Sequence, residues 1–335
     1  MAPRRKGKHD DGAPGPDPTF LPFSAYRSGG GAMMHPRVVR VGTRGSALAL
    51  VQTALAIAAL NADDPDATYE PAIIRTEGDR DKTTPLTVLG GQGVFTVALQ
   101  DALLRGVVDM AVHSAKDLPP ATPDGLVLAA LPERADPRDV FISRHGIALA
   151  SLPSGARVGT SSRRRAVQAR AINPQIEIVE LRGNLDTRLR KSTEPEYDGI
   201  IVAAAGLDRM GWQERITEYL PVDRFVPSPG QGAIGIECRA DDASLRAVLA
   251  RIDHRPTRIA VTAERALLVA AGAGCTMPLA GYAEPHGDTL RLWGMTADMD
   301  YANARWVAHT APADDPFAAG WQLAEALGLA IGVRA

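Results

Sequence analysis

One pattern occurs twice in this chain, and it constrains the fold more than any other feature. RVGTRGSALALVQ, from Arg40, and ARVGTSSRRRAVQARA, from Ala156, share an apolar strand, a Gly-Thr turn, a cluster of hydroxyl and arginine side chains, and then a helix. Ser46 stands where a helix N-cap belongs, ahead of ALALVQTALAIAAL. Apolar residues on nearly every side of that helix predict burial on both of its faces. ATYEPAIIRT reads as the next strand, VFTVALQDALLRG as a helix closing at Gly106, and VVDMAVHS as a short buried strand. The second unit continues through IEIVELRGNLDTRLRK to the apolar strand DGIIVAAAGLDRM. Strands alternating with helices predict mostly parallel sheets covered on both faces. Two such units predict two lobes with a cleft between them, a common place for a ligand.

FVPSPGQGAIGIECRA interrupts the alternation with Pro227, Pro229, Gly230 and Gly232, and its position suggests the chain crossing back to the first lobe. From about Leu245 a helix, strands around GYAEPHGDTLRLWGMTAD and a last helix near FAAGWQLAEALGLA form a smaller α+β unit. The expected class is α/β: two similar doubly wound lobes plus a small C-terminal α+β domain. The boundaries drawn are 36–132 for the first domain, with 231–248 returning to it, 133–230 for the second and 249–335 for the third. Residues 1–35 begin with Arg4, Arg5, Lys6 and Lys8 and run into DDGAPGPDP. They lack the apolar stretch of a secretory signal and read as a disordered extension, or as sequence upstream of a true start at Met33 or Met34.

Composition removes several classes of function. Hydrophobic residues make up 45% and charged residues 23%, which excludes disorder across the whole chain. A formal net charge of −2 with 5% aromatics argues against a nucleic-acid surface. No apolar run approaches the roughly 18–20 residues needed to span a bilayer. Two cysteines cannot make a disulfide framework, and no His, Cys or carboxylate cluster has the spacing of a metal site. The expectation is a soluble, cytoplasmic protein.

Arginines concentrate at the ends of the expected strands: Arg44 in TRGS, Arg163, Arg164 and Arg165 in TSSRRR, Arg182 and Arg188 in LRGNLDTR, and Arg209 in GLDRM. The planar guanidinium matches a carboxylate or phosphate, and Ser46, Ser161, Ser162 and helix N-termini add neutral donors. A single arginine of this kind is more simply a solvated partner of an Asp or Glu. A set repeated in both lobes points to a ligand with several negative groups. VHSAKDLPP places Lys116 and Asp117 at the end of a buried strand. Asp117 there is either an acid–base or electrostatic catalyst, or an ordinary turn residue before Leu-Pro-Pro, and spacing alone leaves both open. His113 and Ser114 read as buried and hydrogen-bonded. Cys238, in the alternating strand AIGIECRA, reads as an inert core thiol. Cys275, in the small-residue loop AAGAGCTMPLA, is an accessible thiol that can serve as a nucleophile or attachment point, although a lone loop cysteine is more often incidental.

At these residues the sequence resembles the hydroxymethylbilane synthase (porphobilinogen deaminase) family. VGTRGSALAL, VHSAKDLP, PRDVFIS, VGTSSRRR, LRGNLDTRL, AAGLDRMG, PSPGQGAIGIECR and GAGCTMPLAG occur in family order and spacing from about Arg37 onward. The resemblance implies two lobes similar to type-two periplasmic binding proteins, and a monomeric transferase that joins four porphobilinogen units head to tail with loss of ammonia. Hydrolysis then releases the product, which feeds tetrapyrrole synthesis. It implies a dipyrromethane cofactor held by a thioether to Cys275, and Asp117 as the carboxylate at the pyrrole nitrogens. By motif position Lys116, Ser162, Arg164, Arg165 and Arg188 would hold cofactor carboxylates. Arg44, Ser46, Arg182 and Arg209 would hold those of substrate or growing chain, porphobilinogen being the expected partner. Arg163 fills a position where the family often has leucine and is left out of the site. GDRDKTTPLTVLGGQG matches a family lid in which two lysines are frequent; Val88 and Gln92 stand there instead. The rival reading is a two-lobed solute-binding protein that captures an anion without catalysis.

Overall fold

The computed structural model describes residues 37–75, 96–272 and 277–329. The expected lid with Val88 and Gln92, the expected attachment residue Cys275 and the N-terminal extension lie outside the described residues.

The first lobe is a five-stranded sheet of order β2-β1-β3-β10-β4, built from β1 (Arg37–Thr43), β2 (Ala67–Ile73), β3 (Met110–Ser114), β4 (Leu126–Ala130) and β10 (Ile234–Arg239). β1 runs parallel to β2 and β3, whereas β10 is antiparallel to both β3 and β4. The second lobe has the order β7-β6-β8-β5-β9, with β5 (Asp139–Ser143), β6 (Arg157–Gly159), β7 (Glu177–Val179), β8 (Gly199–Ala203) and β9 (Glu218–Leu220). Here too the first three strands are parallel and the fourth, β5, is antiparallel to both neighbours. The two sheets therefore have one topology, the arrangement the duplicated pattern predicts. In each, the antiparallel strand adjoins a chain crossing: β5 follows the outward crossing, and β10 follows the return. That is why the sheets are not wholly parallel.

The repeated Ser-helix motif takes one form in both lobes. After β1, Ser46 caps α1 (Ala47–Asp63) by accepting from the Ala49 N–H at 3.3 Å. After β6, Ser162 caps α3 (Arg163–Ile172) by accepting from the Arg165 N–H at 3.4 Å; α2 (Val97–Leu104) lies between them in the chain. Each cap satisfies one of the N–H groups that a helix start leaves without a partner. The expectation that α1 is buried on both faces does not hold. Its buried residues are Gln52, Thr53, Ala56 and Leu60, while Leu50 and Leu55 are exposed. The polar pair is buried because partners meet it: Gln52 Nε2 donates to Ser114 Oγ at 2.9 Å, and Thr53 Oγ1 to Thr43 Oγ1 at 2.7 Å.

Two more helices pack on the second lobe, α4 (Leu185–Lys191) and α5 (Ala204–Met210), and α6 (Ala243–Leu249) follows the return strand. The smaller unit is an antiparallel sheet of β11 (Leu279–His286), β12 (Thr289–Thr296) and β13 (Arg305–Pro312) with α7 (Arg255–Ala270) and α8 (Pro316–Ala326). Leu267, Leu290, Leu292, Trp321 and Leu323 fill the core between helices and sheet. On the sheet's other side Trp293 and Met295 pack with Val167 and Val226, tying this unit to the second lobe. α7 reaches the crossings through Glu264. Arg134 of the outward crossing grips it at 2.6 and 3.0 Å, and the N–H of Gly230, on the return, donates to it at 2.6 Å.

The two helices approach so closely that Gly320 is required. A Cβ there would press on the Ala263 carbonyl and lie 2.7 Å from Ala266 Cβ. Gly320→Ala should separate α7 from α8 and lower stability by about 1–3 kcal/mol, the usual cost of overpacking. Denaturant unfolding measures this, and an unchanged midpoint would show that the helices can part freely.

Candidate functional site

β3 ends at Ser114, and a single tight turn over Ala115–Asp117 carries Lys116 and Asp117 out of the first sheet. Burial pushes the Lys116 ammonium down to about 8; Asp117 beside it acts the other way, and Arg165 adds to the depression. Arg188, in α4, donates through Nε to the Gly183 carbonyl at 2.8 Å. Burial and then Arg165 push its guanidinium down to about 10, against the pull of Asp117. Lys116 and Asp117 of the first lobe thus share one electrostatic neighbourhood with Arg164, Arg165 and Arg188 of the second. No described residue donates a hydrogen bond to the Asp117 carboxylate.

Beneath this cluster lies Asp139, the first residue of β5, which has no solvent exposure. Arg164 Nη1 donates to it at 2.6 Å, Arg165 through Nη2 at 2.7 Å and Nε at 3.0 Å, and Gln231 Nε2 at 3.0 Å. Burial alone would raise its pKa, but the two arginines outweigh that and hold it at about 2. Arg164 and Arg165 also donate to the Val226 and Ile201 carbonyls, at 2.7 and 3.1 Å. Much of their donor capacity is therefore used inside the protein, a role that their motif does not reveal. Asp139, Gln231 and Glu264 were not singled out from sequence; Asp139 looks like an ordinary strand start in PRDVFIS.

The remaining expected residues are more scattered. Arg182 Nε pairs with Glu180 at 2.6 Å. Arg209 donates to the Gly232 carbonyl at 2.7 Å and lines a groove of about 820 Å³ with Glu133, Asp208 and His254. Burial pushes Arg209 down to about 10, with Asp208 opposing. Arg44 and Ser46 lie at the turn between β1 and α1, where Ser46 is occupied as the cap. Ser161 Oγ donates to the Leu181 carbonyl at 2.5 Å. His113 is buried with Nε2 3.2 Å from Glu237, though without the alignment of a hydrogen bond. Cys238 is fully buried in β10, and burial raises its thiol to about 11, as expected of an inert cysteine.

Lys116, Arg164, Arg165 and Arg188 outnumber the two carboxylates among them, Asp117 and Asp139, and after burial the positive charge of Arg165 disfavours that of Lys116, Arg164 and Arg188. Added negative groups would relieve that strain. Fold and site together define a two-lobed α/β protein with a cluster of cationic side chains where its lobes meet.

Comparison with known proteins is more specific. Residues 39–247 match the family described as porphobilinogen deaminase, dipyromethane cofactor binding domain, and residues 258–328 match the porphobilinogen deaminase C-terminal domain. The porphobilinogen deaminase of Syntrophobacter fumaroxidans is 51% identical over 80% of this chain and 86% of its own length. That of Roseiflexus sp. strain RS-1 is 47% identical over 86% of this chain and 94% of its own. Among solved structures, the VFT2 domain of Bordetella pertussis BvgS aligns with 65% of this chain and 87% of its own at 15% identity and a TM-score of 0.40, too slight a likeness to carry an argument. The chain belongs to the porphobilinogen deaminase family. It is a transferase of tetrapyrrole biosynthesis with a dipyrromethane-binding domain, and capture of an anion without catalysis is not favoured.

Asp139 gives this site a distinctive acid response. Its depressed pKa contributes stability in full above the ordinary carboxylate value of 3.8, and that contribution is lost as pH falls towards about 2. Asp139→Asn leaves two buried guanidiniums without their counter-ion and should cost about 3–5 kcal/mol at pH 7. The gap from wild type should narrow below pH 4. Equal denaturant midpoints at pH 7 would show that the arginines find other compensation.

Proposed function

We propose that this chain polymerises four porphobilinogen units head to tail on a dipyrromethane primer attached through Cys275, then releases hydroxymethylbilane by hydrolysis. Family membership supports the reaction. The observation that carries the residue assignment is Asp117, a carboxylate without a hydrogen-bond donor among the described residues, set beside Lys116 and within the field of Arg188.

The cation set fits the cofactor, whose side-chain carboxylates would add negative charge beside Lys116 and Arg188. When bound, the cofactor supplies the pyrrole carbon to which the first substrate unit is joined. Lys116, Ser162, Arg164, Arg165 and Arg188 would hold its carboxylates. The internal bonds of Arg164 and Arg165 keep their guanidinium planes fixed and leave an N–H on each terminal nitrogen of Arg165 for a ligand. Arg44, Ser46, Arg182 and Arg209 would hold the carboxylates of incoming substrate and growing chain. As ammonia leaves porphobilinogen with the electrons of the broken C–N bond, positive charge develops on the substrate. Asp117 stabilises it with a fixed negative charge at the pyrrole nitrogens. Closure of the lobes would exclude water that otherwise ends the chain early.

The proposed domain limits are 36–132 with 231–248, then 133–230 and 249–335, with Cys275 in the third. Family membership also supports a cytoplasmic monomer, which light scattering of the full chain checks.

Asp117→Asn keeps the size of the side chain and removes its charge. Turnover of porphobilinogen should fall roughly 100-fold or more while the protein stays folded, the scale of losing one electrostatic stabiliser. Near-normal turnover would assign the role to another group.

A further inference from the structure

Gln231 lies on the return crossing between the lobes and is 1% exposed. Its backbone is held on both sides: its N–H donates to the Ser228 carbonyl at 2.9 Å, and its carbonyl accepts from Arg134 Nε at 2.7 Å. The side-chain amide has one possible orientation. Nε2 faces two groups that can only accept, the Pro137 carbonyl at 2.8 Å and the Asp139 carboxylate at 3.0 Å. Oε1 is therefore turned the other way, and Lys116 Nζ donates to it at 3.5 Å. The preceding residue adds a second constraint. Gly230 has φ +75°, and a Cβ on it would lie 2.9 Å from both the Ala115 carbonyl carbon and the Lys116 nitrogen. The return crossing thus presses directly on the turn that carries Lys116 and Asp117.

We propose that Gln231 is a positioning residue for the reaction: its amide links Lys116 of the first lobe to the Asp139–Arg164–Arg165 cluster of the second, keeping the ammonium charged and aimed at the ligand's carboxylates. The link to catalysis rests on the function proposed above; the contact itself does not. Lys116 faces Asp117 on its own turn, Asp139 on β5, and Arg164 and Arg165 on α3. Burial opposes its charge most, Asp117 and Asp139 favour it and the two arginines oppose it, so a fixed carbonyl dipole adds weight to the protonated form. Its ammonium is lost as pH rises through about 8, and removing the acceptor must move that loss to lower pH.

The test compares Gln231→Met, which fills the space without an acceptor, with Gln231→Glu, which offers Lys116 a stronger one. The chain has only five lysines, Lys6, Lys8, Lys82, Lys116 and Lys191, so competitive acetylation followed by peptide mass analysis reports on Lys116 alone. Labelling is done on the full chain carrying Cys275→Ala, to leave the amine reachable, across pH 6 to 11 in steps of about half a unit, a range spanning the ordinary lysine value. Gln231→Met should lower the Lys116 midpoint by about one pH unit, and Gln231→Glu should raise it. The same substitutions in the cofactor-loaded enzyme should move the alkaline limb of porphobilinogen turnover in the same two directions, with a larger change in KM than in kcat. General loosening of the fold cannot produce opposite shifts. Midpoints equal to wild type in both variants, or displaced the same way in both, overturn the proposal. If Gln231→Met fails to fold, Gln231→Leu takes its place, and a midpoint equal to or above that of wild type overturns the proposal. Labelling shifts without any porphobilinogen consumption by the wild type would sustain the contact and contradict the proposed function.

Discussion

A carboxylate with no access to water organises this molecule. Asp139 is an expensive group to bury, and two guanidiniums and an amide converge on it. Each arginine in turn is tolerable inside the protein because Asp139 is there. The result is a rigid charged platform at the head of β5, with Arg164 and Arg165 fixed by their own bonds before any ligand arrives. Preorganisation of this kind reduces the ordering cost of binding. It also leaves the cluster with surplus positive charge, which suits a ligand built from carboxylate-bearing pyrroles.

A second buried carboxylate ties the three sheets together. Glu264 of α7 accepts a two-pronged grip from Arg134, the Gly230 N–H at 2.6 Å and the Ala283 N–H of β11 at 2.9 Å. Arg134 also lies 5.1 Å from the centre of the Tyr282 ring, which stacks on Trp293 at 5.6 Å. Both crossings between the lobes are thereby anchored to the smaller unit. Gly232, with φ +87°, lets the return pass close to the outward crossing, since a Cβ would lie 2.5 Å from the Ala135 carbonyl.

The elements most legible in the sequence were those governed by local rules. The duplicated strand, Gly-Thr turn and hydroxyl predicted two like lobes, and both Ser46 and Ser162 cap their helices. Alternation around Cys238 predicted a buried, unreactive thiol, and burial explains its raised pKa. What escaped depends on contacts distant in the chain. An apolar helix such as α1 does not reveal which side meets the sheet, so the exposure of Leu50 and Leu55 was hidden. The basic run TSSRRR advertises anion binding, but its internal counter-ion lies 25 residues from Arg164 and reads as an unremarked acid before VFIS. Gln231 sits in a Pro- and Gly-rich stretch that signals only a turn, and its partners come from both lobes.

The central claim is that the chain builds its product on a pyrrole primer bound to one particular thiol. Intact mass of the full chain, purified from cells able to make porphobilinogen, tests it most directly when combined with peptide mapping. The account predicts a protein heavier than its sequence by one dipyrromethane, with the addition on Cys275, absent from Cys275→Ser and retained in Cys238→Ser. Wild-type protein of unmodified mass, or an adduct mapped to Cys238, would contradict it.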